Sequence, residues 1–351
     1  MAVDHDRLTE LFTEAMDLDP GGQRELLGRI HASDPALAKE LAALLDADDS
    51  IVTALRTAGL KPTDVGDAFR RRSALPPERL EIPNFRIRRT IGSGGMSVVY
   101  AADRDSPEPD LNNPPRSVAI KVLHVSAPEA LRRFRAEAAI MMTLDHPGIA
   151  RVLASGEANG NPYFVMEEID GLTLDAHVAK HAPPLATRLA LFAELCDAMH
   201  YAHGAGVIHR DLKPANVMVS SDGHVKVLDF GVARIAASAG KTRQGDFLGT
   251  PLYMSPEQAM ARSETADARA DVYALGVILF ELVAGSPPYE IRGLALSTAV
   301  RIIMTQPPRS LGHSPALDAI AAKALAKAPA DRHASAAELA AAVRAIQDRE
   351  M

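Results

Sequence analysis

Asp211, Asn216 and Asp229 are the residues of this chain whose types and spacing could do chemistry. They lie in two short runs, Val207-Ile208-His209-Arg210-Asp211-Leu212-Lys213-Pro214-Ala215-Asn216 and Val225-Lys226-Val227-Leu228-Asp229-Phe230-Gly231, whose other residues are largely apolar. A buried strand pair has no use for two acids and an amide. An unpaired buried charge is expensive, and two carboxylates repel unless a cation lies between them. A metal ion would resolve both problems. Oxygen ligands from one Asp and one Asn, with the second Asp left for other work, suit Mg2+ carrying phosphates better than they suit zinc. The plainer alternative is a strand-turn-strand whose acids cap turns.

The order His-Arg-Asp-x-Lys-x-x-Asn and then Asp-Phe-Gly resembles the catalytic loop and magnesium loop of the protein kinases. Lys213-Pro214 after Asp211 further resembles the serine/threonine branch, including the eukaryotic-like kinases of bacteria. The resemblance implies an α+β, two-lobed protein kinase fold, with a small antiparallel β-sheet lobe carrying one helix and a larger, mainly helical lobe. A small all-α N-terminal unit precedes it. The expected organisation is a helical module over 1–50, a linker over 51–83 and a kinase domain over 84–348. Within that domain the small lobe covers 84–166, the hinge 167–169 and the large lobe 170–348.

The acids need elements to hold them. Leu185 to His203 reads as a long, largely apolar helix ending at Gly204, which delivers the chain into the catalytic loop. Val118-Ala119-Ile120-Lys121-Val122-Leu123 is apolar on both faces of a strand, so Lys121 is buried unless that strand lies at an edge. The lysine then needs an anion. Ser126-Ala127-Pro128-Glu129 opens a helix as a capping box, and Leu131, Phe134, Ala138 and Met141 form its inward stripe. Glu137 falls within that stripe and is the candidate partner of Lys121. The kinase pattern pairs the same two positions. Two surface side chains reaching for solvent are the alternative.

Phe85 to Ile91 and Ser97 to Ala102 read as strands around the turn Gly92-Ser93-Gly94-Gly95-Met96-Ser97-Val98-Val99. Glycines there allow a hairpin whether or not phosphates lie beneath it. Against the kinase glycine loop, the first two glycines and Val99 fit, and Ser97 replaces the third glycine. Ser106 to Arg116 is a Pro/Asn/Asp-rich insertion of the kind found at a disordered hairpin tip. Pro162 to Ile169 is a strand running into a turn at Asp170-Gly171. The resemblance makes Met166 the gatekeeper and Glu167 to Ile169 the hinge whose backbone bonds adenine. It places ATP against Ile91, Gly92, Ser93, Gly94, Gly95, Met96, Ser97, Val99, Ala119, Lys121, Met166, Glu167, Ile169 and Met218. Taken singly, the apolar members of that set are ordinary core residues.

Further roles are likewise implied by the resemblance. Lys121 would hold the α/β-phosphates, Asn216 and Asp229 would hold Mg2+, and Mn2+ could take its place. Asp211 would receive or orient the proton of the incoming hydroxyl, Lys213 would touch the γ-phosphate, and Thr250 would sit beside it. Val232 to Asp246 and Gly249-Thr250-Pro251-Leu252-Tyr253-Met254-Ser255-Pro256-Glu257 resemble an activation segment, with Ser-Pro-Glu where Ala-Pro-Glu is more usual. Glu257 would pair with Arg332, and Asp271 would hold the catalytic loop. A phosphate on Thr242, or failing that Ser238, could pair with Arg210. Gln244 stands where related kinases carry a second threonine, and Ala215 where many basophilic kinases carry a glutamate.

The remaining sequence bounds the function. The chain of 351 residues is 47% apolar with a net charge of -7, from 45 acidic and 38 basic residues, which argues against a nucleic-acid partner. Cys196 is the one cysteine, so no disulfide framework exists and a reducing, cytoplasmic setting is expected. No apolar run approaches the roughly eighteen residues of a membrane span, and Met1 to Arg7 does not read as a signal peptide.

Toward the N-terminus, Leu8, Leu11, Phe12 and Ala15, then Leu26, Leu27 and Ile30, then Leu37, Leu41, Leu44 and Leu45 recur at helical spacing. Asp19-Pro20 and Asp34-Pro35 each offer an N-cap carboxylate before a proline suited to the first helical position. Three short helices make a poor independent core, so they should pack weakly on each other or dock on a partner. Arg70-Arg71-Arg72 in the linker reads as a solvated tether, and Ser314-Pro315 and Ser335 with Glu338 start two closing helices. The expected partners are Ser/Thr-bearing proteins, with a homodimer for trans-autophosphorylation of the activation loop. The competing functional class is a pseudokinase scaffold that binds nucleotide without transferring phosphate. The Tyr253 to Glu257 ledge, which suits peptide docking, argues against a small-molecule kinase.

Overall fold

The computed structural model describes residues 11, 20–34, 37–38, 82–93, 97–105, 117–123, 128–230, 251–259 and 267–350. Within those spans, the side chains of residues 20, 21, 23, 24, 32, 33, 128–131, 133, 137, 296 and 348–350 are not described. The chain forms two compact units, one of Lys61–Thr242 with Ala334–Met351 and one of Met1–Leu60 with Arg243–His333.

The first unit opens with an antiparallel sheet of five strands, β1 (Phe85–Ser93), β2 (Ser97–Arg104), β3 (Ser117–Leu123), β4 (Val152–Ala158) and β5 (Asn161–Glu167), in the order β1-β2-β3-β5-β4. The helix Pro128–Met141 lies between β3 and β4 in the chain. β3 pairs on both sides, with β2 and with β5, so it is a central strand and not an edge. Its doubly apolar sequence is explained, since every residue from Val118 to Leu123 is buried. One face of the sheet packs Ile82, Val98, Tyr100, Val118, Ile120 and Val165 into an apolar cluster. By the period of two, Val99, Ala119, Lys121 and Met166 take the opposite face, where Val99 is opposite Lys121 and Ala119 opposite Met166.

A second antiparallel sheet follows, of β6 (Gly171–Thr173), β7 (Val217–Ser220) and β8 (Val225–Val227). The helix Leu185–Gly204 precedes the loop that leads into β7. Nine of its residues are buried, Cys196 among them. The C-terminal helix Ala336–Glu350 packs against it, with Arg344 gripping both oxygens of Asp197 and Gln347 Nε2 donating to the Ala186 carbonyl at 3.0 Å. Its start is capped by Ser335 and Glu338, with the reciprocal bond falling one residue ahead of the usual capping box. The Glu338 N–H donates to Ser335 Oγ at 3.2 Å, and the Glu338 carboxylate accepts from the Ala334 N–H at 2.8 Å.

Taking the helices in chain order, α1 is Pro20–Ser33, α2 Pro128–Met141, α3 Leu174–His181, α4 Leu185–Gly204, α5 Pro256–Ala259, α6 Arg269–Ala284, α7 Leu296–Thr305, α8 Pro315–Ala324 and α9 Ala336–Glu350. The second unit is helical and is built on α6, in which twelve residues are buried. Gly285 ends α6 in the left-handed region at φ 68°, where a residue without Cβ is unstrained. Ser314 caps α8 by accepting from the Leu317 N–H at 3.3 Å, ahead of Pro315 at the first helical position. The antiparallel sheet with one helix, followed by a mainly helical remainder, is the α+β class expected from sequence.

α1 begins at Pro20, as the Asp19-Pro20 pair predicts, although Asp19 lies outside the described residues. Asp34 Oδ1 accepts from the Leu37 N–H at 3.0 Å, the N-cap read at Asp34-Pro35. The apolar face of α1 is covered by residues of its own unit. Leu26, Ile30, Leu37 and Ala38 form one cluster with Ala259 of α5 and Val300 and Met304 of α7. The linker, the insertion at 106–116 and residues 231–250 lie outside the described residues.

Candidate active site

Two backbone irregularities frame the site. Arg210 and Asp229 both adopt positive φ, 67° and 63°. Such values are uncommon for non-glycine residues and persist only where the surroundings over-determine them. The surroundings here do so. His209 is fully buried, and its Nε2 lies 2.8 Å from the Leu228 carbonyl, while the Asp211 N–H donates to its Nδ1 at 3.3 Å. An accepting Nδ1 assigns the ring proton to Nε2, which donates to Leu228. The Phe230 ring packs on the imidazole with centroids 4.9 Å apart. The Leu228 N–H donates to the Asn216 carbonyl at 2.8 Å, so the two motif runs are joined directly.

The side chains converge on this frame. Lys213 Nζ is 2.7 Å from Asp211 Oδ2, and Asn216 Nδ2 donates to the Asp211 carbonyl at 2.7 Å and to its Oδ2 at 3.3 Å. Both Asn216 bonds use the amide nitrogen, so the amide oxygen is the end that can meet a cation. Lys121 Nζ is 2.7 Å from Asp229 Oδ2, with the lysine side chain 8% exposed and the aspartate 23%. Glu137 is the partner of Lys121 expected from sequence; its side chain lies outside the described residues, and among the described residues Lys121 meets Asp229. A hard donor set of one carboxylate and one amide oxygen fits Mg2+ shared with phosphates. Among the described residues no cluster of three or more His, Cys, Asp or Glu could hold a metal by itself.

The sheet above supplies the rest of the lining. Val99, Ala119 and Met166 share one face with Lys121 through the β2–β3–β5 register, and Met218 of β7 stands opposite Thr173 of β6. Ala119 and Met166 are buried, while Ile91 at the end of β1 is 40% exposed. A cleft beside Asp229 and Phe230 is walled by Met141, Leu144, Phe164 and Met166. Gly92, Ser93 and Ser97 are at the ends of β1 and β2; Gly94, Gly95 and Met96 lie outside the described residues.

Two ion pairs at Glu167 and Glu168 have no counterpart among the expectations from sequence. Glu167 Oε1 meets Lys226 Nζ at 2.7 Å and accepts from the Arg151 N–H at 3.1 Å, while the Glu167 N–H donates to the Arg151 carbonyl at 3.0 Å. Arg88 of β1 pairs with Glu168 and, at 3.1 Å, with Asp103. The backbone after Glu167, including half-buried Ile169, is thus held at both sides by charged side chains. No local signal for these pairs exists in the sequence, where Lys226 lies 59 residues from Glu167 and Arg88 lies 80 from Glu168.

In the second unit, Glu257 and Arg332 form a bidentate pair, Nη1 to Oε1 and Nη2 to Oε2, both at 2.7 Å. Asp271 is buried in the first turn of α6. Thr250, Thr242 and Ser238 lie outside the described residues. Among the described residues no helix is long and apolar enough to cross a membrane.

Comparison with known proteins places this geometry in context. Residues 85–342 match the family model described as the protein kinase domain. The chain is 42% identical over 270 residues to the serine/threonine-protein kinase PknB of Mycolicibacterium smegmatis, covering 73% of this chain and 41% of that protein. It is 39% identical over 267 residues to the serine/threonine-protein kinase Pkn1 of Myxococcus xanthus, covering 72% and 37%. The chain thus spans about two fifths of the length of these relatives. Among solved structures it is similar to the Mycobacterium tuberculosis PknI kinase domain, with a TM-score of 0.59 and 31% identity, covering 78% of this chain and 99% of that one.

Proposed function

The chain belongs to the protein kinase family, and from that premise we propose that it is an ATP- and Mg2+-dependent serine/threonine protein kinase that transfers the γ-phosphate to protein hydroxyls. The observation that carries the reading is the convergence of Asp211, Lys213 and Asn216 at hydrogen-bond distance, joined by backbone to a loop that sets Asp229 against Lys121. Phosphoryl transfer asks little covalent work of a protein and much alignment and charge neutralisation. Bound Mg2+ and ATP supply the phosphoryl group and screen its charge.

The chain's own residues do the rest. Asp211, 45% exposed at its side chain, accepts or orients the proton of the incoming hydroxyl. Lys213, already on Asp211 Oδ2, is placed to meet the γ-phosphate, and Asn216 and Asp229 offer oxygen to the cation. Lys121 would exchange part of its contact with Asp229 for the α/β-phosphates, with Glu137 as its expected second anion. Val99, Ala119, Met166 and Met218 sandwich the base, whose edge meets the backbone of Glu167 to Ile169. Ile91 to Ser97 would cover the phosphates, and Thr250 would act with Lys213 on the γ-phosphate.

We assign the helical module to 1–50, the linker to 51–83 and the kinase domain to 84–348, with Glu167–Ile169 as hinge. Autophosphorylation of Thr242, or of Ser238, in trans within a homodimer would set a phosphate against Arg210. Mn2+ can replace Mg2+, and the setting is cytoplasmic.

The test is transfer from labelled ATP with Mg2+ to the chain itself and to a generic protein acceptor, comparing wild type with Asp211→Asn. We expect the variant to lose about 10²- to 10⁴-fold with its melting temperature unchanged. Equal labelling of the two would remove the assignment. Mass-spectrometric mapping of the labelled wild type tests the loop sites, and full activity in a Thr242→Ala, Ser238→Ala chain would dismiss them.

A further inference from the structure

The N-terminal helix occupies a groove of its own chain. The groove is walled by Ala259 of α5 and by Val300 and Met304 of α7, and Met254 packs against the same cluster. Leu26 and Ile30 fill it from α1 and Leu37 from the next turn of helix, at 2%, 7% and 2% exposure, while Glu25, Gly28, Arg29 and His31 face outward. Leu26 and Ile30 are four residues apart, the spacing that aligns side chains along one helix face.

Met254 links this cluster to the ledge. It directly follows the Pro251–Tyr253 turn and precedes Ser255, Pro256 and Glu257. That ledge is held firmly from below. Tyr253 Oη donates to Glu281 at 2.7 Å, Ser255 and Gln258 bond each other, and Glu257 is clamped by Arg332. An object seated on Met254 is therefore seated beside a rigid part of the ledge to which a protein acceptor would come.

The helix itself is weakly built. It carries Gly21 and Gly22 in its first turn and Gly28 in its middle. A Cβ at Gly28 would meet nothing within 4 Å, so no packing demand explains that glycine. Glycine inside a helix costs backbone entropy, and an isolated helix of this length is marginal in water. A few apolar side chains thus hold a helix that is easy to melt, which is what a releasable cover requires.

We propose that the segment 20–38 is a built-in cover for the protein-acceptor ledge, docked through Leu26, Ile30 and Leu37 in the groove between α5 and α7. It restrains phosphorylation of proteins while leaving nucleotide binding untouched. The proposal rests on the kinase reading above and adds the regulation of its acceptor side.

The experiment uses the full chain with casein as acceptor, comparing wild type, Leu26→Asp with Ile30→Asp, and Gly28→Ala. Charges in the cluster cannot be buried without a partner and should expel the helix. We expect casein phosphorylation, as kcat/KM, to rise roughly 5- to 150-fold, with the KM for ATP unchanged and hydrogen exchange of the 20–33 amides accelerated. Gly28→Ala, which strengthens the helix without touching the groove, should lower casein phosphorylation by up to roughly fivefold. A synthetic peptide of residues 20–38 should restore restraint to the released variant. Accelerated exchange with casein phosphorylation unchanged or reduced would overturn the proposal, as would exchange unaltered by the two charges. Restraint of the wild type that fades on dilution would assign the helix to a second copy and overturn docking within the chain. If wild type and Asp211→Asn are equally silent toward casein and themselves, the kinase reading has failed, and the exchange data separate that result from a failed cover.

Discussion

Lys121 and Arg332 are both buried cations facing a carboxylate, one in each compact unit, and they are finished differently. Arg332 has a fully buried side chain and spends all five N–H donors: two on Glu257, and one each on the carbonyls of Arg269 at 2.8 Å, Ala326 at 2.8 Å and Lys327 at 3.0 Å. Its guanidinium also lies 5.1 Å from the centroid of the Tyr273 ring. Nothing is left over for a ligand. Among the described residues Lys121 faces Asp229, whose carboxylate remains 23% exposed on a backbone held at positive φ. A saturated pair fixes a shape, whereas a pair open on one side can trade partners when phosphate and cation arrive.

Crossed substitutions should break this comparison if it is wrong. Arg332→Met strands Glu257 and three carbonyls in the interior, and we expect unfolding free energy to drop by about 3–5 kcal/mol, read by denaturant melts. Lys121→Met should leave stability within about 1 kcal/mol, because Asp229 retains access to water, yet should cut phosphoryl transfer by roughly 10²- to 10³-fold. The reverse pattern, a stable Arg332→Met chain or an unfolded Lys121→Met chain, would show that the two pairs had been assigned opposite to their roles.

A smaller effect sharpens the same contrast within the second unit. A Cβ on Gly276 would come within 2.8 Å of Ala324 Cβ and 3.2 Å of Leu325. Because α6 is buried nearly all round, neither neighbour has room to give. Gly276→Ala should therefore cost about 1–3 kcal/mol of stability with transfer per folded molecule unchanged. A loss of specific activity at full stability would mean that the second unit does more than hold a shape.

How much of this was readable in advance depends on how far apart the interacting residues lie in the chain. The burial of Lys121 was legible because Val118 to Leu123 leaves no polar face, and β3 is central. Caps at Asp34, Ser314 and Ser335 were legible because each spans about one turn. The juxtaposition of Asp211 and Asn216 followed from the motif, but the pairing of Lys121 with Asp229 depends on how a loop and a distant strand meet. The stripe of Leu26 and Ile30 announced that α1 is buried without saying against what, since Val300 and Met304 come much later in the chain. Lys226 on Glu167 was invisible for another reason. A long charged side chain reads as solvated anywhere, and the strand pairing of β7 with β8 helps bring Lys226 to Glu167.

Lys327 extends the comparison to a third cation, half-buried and left open to titration. Its amine donates to Tyr289 Oη at 2.9 Å and to the Ile303 carbonyl, and lies 4.5 Å from the Tyr289 ring centroid, with no carboxylate among these contacts. Burial, and next the charge of Arg332, pull its pKa from 10.5 down to about 7. A lysine depressed in the folded state binds fewer protons there than in the unfolded chain between those two values. Stability should therefore climb as pH rises from about 7 toward 10.5, and should not change on this account below pH 7, where both states are protonated. The hydrogen bonds and ring contact favour the ammonium and oppose the shift, so the gain from pH 7 to 9 should be about 2 kcal/mol or less. Melts of wild type minus those of Lys327→Met isolate this slope from other titrating groups. A difference that is flat or falls with pH would mean that Lys327 stays charged on Tyr289 and Ile303, and that a cation here can be satisfied without an anion.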